Sequence, residues 1–73
     1  MKKTYMLEDL DCANCAAKME EAVKKIDGVK FASVKFLAQK MTLEADDEAF
    51  DEILKKAIKT IKRVEPDCRV IVD

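Results

Sequence analysis

Histidine is absent from the 73-residue chain. That removes imidazole metal ligands and general bases, and with them Cys-His nucleophilic catalysis and the Cys/His zinc-finger patterns. Tryptophan is absent too, and aromatic residues make up 5% of the chain, too few for the base-stacking platform that RNA binding on an open sheet demands. Neither sign of charge dominates: 14 basic and 15 acidic side chains leave a formal net charge of −1, so no global field draws nucleic acid or an anionic membrane. No run approaches the ~20 apolar residues of a membrane span. The start Met1-Lys2-Lys3 turns acidic too soon, at Glu8 and Asp9, for the apolar region of a signal peptide. Direct membrane insertion of this segment is therefore not expected. Three cysteines cannot pair fully within one chain, which points to a reducing, cytoplasmic setting. The length allows one small domain, residues 1–73, with a single core and no deep cleft.

Asp11-Cys12-Ala13-Asn14-Cys15 sets two thiols two residues apart where a strand-like run meets an amphipathic helix. Tetrahedral Zn–S bonds of ~2.3 Å put two sulfurs roughly 3.8 Å apart, a separation that a turn and the first helical residue can supply. A helix beginning near Asn14 would offer its unpaired N–H groups and positive dipole end to the thiols and favour their anionic forms. Those forms bind a soft metal ion. They also make a reactive dithiol, so the spacing alone leaves both chemistries open.

Lys3 to Glu8 alternates, with Tyr5 and Leu7 on one side, and reads as a short strand. From Asn14 to Ile26 the apolar positions Ala16, Met19, Val23 and Ile26 recur at three and four residues, one face of a helix ended by Asp27-Gly28. Two alternating runs follow, Val29 to Phe36 and Lys40 to Ala45, joined by Leu37-Ala38-Gln39, which lacks the Gly or Asn of a good hairpin turn. Asp46 and Asp47 are placed to cap a second helix whose inward stripe is Phe50, Ile53, Leu54, Ala57, Ile58 and Ile61, with Asp51–Lys55 and Glu52–Lys56 spaced for i,i+4 pairs. Glu65-Pro66-Asp67 breaks that helix, and Cys68 to Val72 forms a last strand. This order predicts an α+β, ferredoxin-like βαββαβ sandwich, a four-stranded antiparallel sheet with both helices on one face. It also brings the turn from Glu65 to Cys68 to the same end of the sheet as Cys12 and Cys15.

Leu10 to Cys15, the following Ala16-Ala17-Lys18-Met19-Glu20 helix, Asp27-Gly28-Val29, Ser33 to Phe36 and Glu65-Pro66-Asp67 resemble heavy-metal-associated domains over nearly the whole chain. Such domains occur at the N-termini of metal-exporting P-type ATPases, as free copper chaperones and in mercury-handling proteins. The resemblance implies that Cys12 and Cys15 take up one ion and pass it to a metal carrier, to other domains of an ATPase or to its transport site. Copper members usually carry Met-Thr-Cys or Met-His-Cys before the pair, whereas Leu10-Asp11-Cys12 looks like the zinc-, cadmium- and lead-exporting ATPases. Zn²⁺ and Cd²⁺ accept about four donors, including carboxylate oxygens, so Asp11 is the expected third ligand. Glu65 is a further candidate, within the chain or across a metal-bridged dimer. The expected ion is one Cd²⁺ or Zn²⁺, or Pb²⁺, with Cu⁺ as the alternative.

Simpler roles compete with these. Asp11 at a helix start also fits a cap, Glu65 and Asp67 fit solvated turn charges, and Cys68, in phase with Val70 and Val72, fits a small core residue before it fits a third sulfur ligand. The reading is of a binding module and not an enzyme by itself. Its alternatives are a free copper or mercury metallochaperone of the same fold and, in another class, a small thiol-disulfide oxidoreductase, against which the missing Trp-Cys-x-x-Cys context counts.

Overall fold

Residues 1–72 are described by a computed structural model of the chain. Six elements follow in order: β1 (Lys2–Glu8), α1 (Ala13–Lys24), β2 (Val29–Lys35), β3 (Lys40–Ala45), α2 (Phe50–Val64) and β4 (Arg69–Ile71). The sheet order is β2-β3-β1-β4 and every neighbouring pair is antiparallel. This is the expected ferredoxin-like arrangement.

Alternation in the strands decides which face is covered. Tyr5, Leu7, Ala32, Val34, Met41 and Leu43 are buried, and they form one cluster with Ala16, Met19 and Val23 of α1 and Phe50, Ile53, Leu54, Ala57 and Ile61 of α2. A single cluster fed by one parity of each strand puts both helices on the same face. The opposite face carries Met6, 58% exposed, and a Thr4–Thr42 hydroxyl pair at 3.0 Å. Met19, Met41, Leu43 and Ile61 are fully enclosed, each worth roughly 1.5–3 kcal/mol by area removed from water. A register shift between Val29 and Phe31 gives the strand one extra residue, so that Val29 packs against the core while Phe31 turns out beneath the Lys2 ammonium, 5.0 Å from its ring centre.

α1 ends at Lys24, two residues before the expected Ile26, with Lys25 as its C-cap, and Gly28 at φ +96 instead turns the chain into β2; a Cβ there would stand 2.7 Å from Ile53 Cδ1, so both backbone and packing require glycine. The start of α2 differs from expectation. Ala49 holds the cap position without a side-chain bond, while Asp46 pairs with Lys30 at 2.7 Å and Asp47 with the N-terminal ammonium at 2.8 Å. Their carboxylates are taken by cations brought from β1 and β2, and the helix is instead entered through a backbone turn, Ala49 N–H donating to Asp46 O at 3.1 Å. Neither Asp51–Lys55 nor Glu52–Lys56 closes as an ion pair among the described residues. Both pairs lie on the exposed side of α2, where such contacts contribute little.

Candidate metal centre

β1 ends at Glu8, and Asp9 turns the chain off the sheet in a left-handed conformation, φ 62. Leu10 then buries its side chain, leaving 3% exposed, and the chain emerges again at Asp11. The first helical residue is Ala13, one before the expected Asn14, because Cys12 is the N-cap: its backbone is extended (φ −136, ψ 123), its carbonyl accepts from Ala16 N–H at 3.0 Å, and its sulfur accepts from Cys15 N–H at 3.3 Å. A sulfur occupies the place where Ser or Asp usually puts an oxygen. Cys12 therefore faces the positive end of α1, and the second thiol stands three residues on, in the first turn of the helix.

The two thiols are unlike. Donation from the Cys15 thiol, together with the Cys15 backbone N–H, pulls Cys12 below its ordinary range. Cys15 is pushed up to about 11, first because its proton is held against the Cys12 sulfur, then by desolvation and by the Glu65 carboxylate. Glu65 stands at the C-terminal end of α2, where its backbone N–H donates to Ile61 O at 2.8 Å and its carboxylate accepts from Asp67 N–H at 3.4 Å. The predicted juxtaposition of that turn with the thiol loop is thus observed, and Glu65 is the carboxylate felt by Cys12 and Cys15 alike. Asp11 is exposed, and its charge is felt at Cys68. Cys68 is wholly buried, and desolvation raises its pKa, as suits the core residue its parity suggested. Among the described residues no three acidic or thiol side chains converge at metal-holding distance.

One participant was not anticipated. Gln39, at the end of the β2–β3 turn, reaches across to Leu10 and bonds its backbone at both ends. The only earlier signal was its place in a turn without Gly or Asn. A groove of about 610 Å³ between the helices, lined by Ala17, Ala22 and Ile26 with Lys18, Lys25 and Arg63, contains no thiol and lies outside this chemistry. No helix among the described residues is long and apolar enough to cross a membrane.

Residues 4–65 match the heavy-metal-associated domain. The chain is 37% identical over 70 residues to a cadmium, zinc and cobalt-transporting ATPase of Bacillus subtilis, an alignment covering 96% of this chain and 10% of the ATPase. It is 31% identical over 58 residues to a COP-associated protein of Helicobacter pylori, covering 80% of this chain and 88% of that one. It thus spans about a tenth of the length of the ATPase and nearly all of the smaller relative. Among solved structures, the N-terminal domain of the copper(I) ATPase PacS from Synechocystis PCC6803 superposes with a TM-score of 0.76 at 25% identity, covering 100% of this chain and 93% of the other. Fold, thiol loop and sequence agree: the chain belongs to the heavy-metal-associated domain family, small non-catalytic metal-binding modules related to the N-terminal domains of P-type ATPases and to copper chaperones.

Proposed function

We propose that this domain captures a soft or borderline divalent cation, Cd²⁺ or Zn²⁺ and by the same donors Pb²⁺, on the thiolates of Cys12 and Cys15 with the Asp11 carboxylate as third ligand, and that Glu65 offers a fourth, exchangeable oxygen. The observation that carries the reading is the placing of two thiols at the start of α1 with carboxylates on both flanks, Asp11 beside Cys12 in the chain and Glu65 beside Cys15 in space. Two thiolates alone suit Cu⁺. Added carboxylates suit a divalent ion that takes about four donors, and they would leave a Cu⁺ bis-thiolate overly anionic. Closing three donors on an ion asks only that the exposed Asp11 side chain swing toward Cys12, since no packing holds it elsewhere. Cys68 is left out of the donor set because reaching it would open the core.

Release proceeds by ligand exchange. An incoming donor bonds the ion while Cys12 and Cys15 still hold it, and a domain sulfur then leaves, so the ion is never bare. The recipient is the transport site or another domain of a metal-exporting P-type ATPase, of which this domain is the cytoplasmic N-terminal delivery or regulatory part, or else a separate carrier. The relationship to cadmium- and zinc-transporting ATPases supports that assignment. A copper chaperone is the second reading, supported by the similarity over nearly its full length to the COP-associated protein.

Anaerobic titration of the reduced protein against competing chelators, followed by the thiolate charge-transfer absorption, separates the two. Asp11→Ala is expected to weaken Cd²⁺ or Zn²⁺ binding tenfold or more, about 1.4 kcal/mol, and to leave Cu⁺ binding nearly unchanged. Equal losses for both kinds of ion, or none for either, would sink the carboxylate role and favour copper.

A further inference from the structure

Gln39 sits at φ +53, a left-handed conformation that Gly or Asn reaches with less strain. What it gains is visible in its carboxamide. Nε2 donates both hydrogens, to Leu10 O at 2.8 Å and to Phe36 O at 2.8 Å, while Oε1 accepts from Leu10 N–H at 3.3 Å. Its own carbonyl accepts from Leu7 N–H at 2.8 Å, which extends the β1–β3 pairing to the point where the chain leaves the sheet. One side chain thus serves both polar groups of Leu10 as a neighbouring strand would, in a stretch that has no ladder partner. Leu10 is consequently fixed twice, by its buried side chain and by this bidentate clamp, two residues before Cys12.

We propose that Gln39 is a positioning residue for the thiol loop: by fixing Leu10 it sets the point and direction from which Asp11 and Cys12 emerge, and so preorganises them for the ion. This rests on the metal-capture reading above. Each ligand that must otherwise be ordered when the ion arrives subtracts from affinity, and a loop held in place beforehand avoids that loss. The clamp reaches the loop from the β2–β3 turn, an element that carries none of the proposed ligands.

Gln39→Asn separates positioning from folding. Asparagine tolerates the left-handed backbone better than glutamine, so the turn is kept, but its carboxamide is shorter by one carbon–carbon bond, roughly 1.5 Å, and falls short of Leu10. Gln39→Met keeps the length without the hydrogen bonds. Both variants are expected to stay folded with the core amides protected and to melt roughly 5–15 °C below the original, to exchange the Leu10 amide faster by NMR, and to bind Cd²⁺ about tenfold more weakly in chelator competition. Unchanged Cd²⁺ affinity with the Leu10 amide freed would overturn the proposal, as would a Leu10 amide that stays protected in both variants. So would weakened binding that accompanies a collapse of thermal stability and faster exchange throughout the core, since the role would then be structural only. If the unaltered chain fails to bind Cd²⁺, the metal-capture reading itself falls and the positioning role falls with it, an outcome told apart because the variants play no part in it.

Discussion

At pH 8 a pulse of iodoacetamide should alkylate Cys12 well before Cys15. Thiolate is the attacking form, and Cys15, held near pKa 11, is about 0.1% ionised at that pH. An unperturbed thiol of pKa ~8.5 would be about a quarter ionised at pH 8, roughly 200-fold more than Cys15. Intrinsic nucleophilicity works in the other direction, because a more basic thiolate attacks faster with a Brønsted slope of about 0.4–0.5, which returns roughly tenfold to Cys15. Cys15 should therefore react about 20-fold more slowly than an unperturbed thiol, while Cys12, whose pKa is shifted the opposite way, downward, should react ahead of it, read by mass spectrometry of the peptides after short exposure. The cause can be tested in the same assay. Since the largest contribution to the raised Cys15 pKa is its bond to the Cys12 sulfur, Cys12→Ala should speed Cys15 alkylation at pH 8, and Glu65→Gln should do so to a smaller degree. Equal rates at the two cysteines, or Cys15 reacting first, would refute the asymmetry and the thiol-to-sulfur bond between Cys15 and Cys12 that chiefly underlies it.

Metal affinity should rise with pH, because a cation must displace the protons its ligands hold. With Cys15 raised to about 11, it carries its proton throughout the neutral range, so apparent Cd²⁺ affinity should climb about tenfold per pH unit between pH 6 and 8 from this thiol alone, and more steeply where Cys12 is also protonated; a flat profile in a non-coordinating buffer would contradict the assignment. Glu20 tests the scaffold: its carboxylate accepts from Val34 N–H at 2.8 Å on the edge strand β2, and that bond holds its pKa down. A depressed folded pKa means stability that is present above the unfolded value of ~4.3 and is lost as pH falls through the folded one. Urea unfolding of Glu20→Ala should therefore show a loss of about 1–2 kcal/mol at pH 7 that shrinks toward zero near pH 3, and a pH-independent loss would point to packing instead.

The elements that the sequence makes legible are those whose information is local. Tyr5 and Leu7, Met41 and Leu43, and the Phe50-to-Ile61 stripe announce strand or helix by spacing alone, and each buries the face that its period assigns. What eluded that reading depends on residues far apart in the chain. Asp46 and Asp47 look like caps until Lys30 and the N-terminus are brought to them. Glu20 reads as one more solvated helix charge until β2 presents an unpaired N–H, and Gln39 reads as a poor turn residue until Leu10 arrives beside it. The site divides in the same way. Cys12, Cys15 and Asp11 are visible as a motif, and the topology alone places Glu65 near them. The sulfur cap could not be foreseen from spacing, because whether the helix begins at Asn14 or a residue earlier turns on whether Cys12 Sγ takes the Cys15 N–H.

Donors and core are kept apart in this fold, and that separation bears on how an ion could be given up. A structural zinc site supplies folding free energy, so its metal cannot leave without the chain unfolding. Here the enclosed cluster runs from Tyr5 to Cys68 and is assembled from apolar side chains of β1, β2 and β3 and both helices. Cys68, the one thiol inside it, is kept protonated by burial. Of the proposed ligands, Asp11 and Cys12 stand on a loop anchored at Leu10, Cys15 in the first turn of α1 at the margin of the core, and Glu65 at the end of α2, so the proposed ion could be gained or lost without opening the core. The unequal thiols extend the same logic to exchange. Cys12, already inclined to the anion by the Cys15 thiol and the Cys15 backbone N–H, would meet an incoming ion first on the proposed reading, whereas Cys15 would have to shed a tightly held proton to complete the proposed site. On the proposed exchange, release would reverse the order: once the incoming donor has bonded the ion, Cys15 would take up a proton and leave first, and Cys12 would follow.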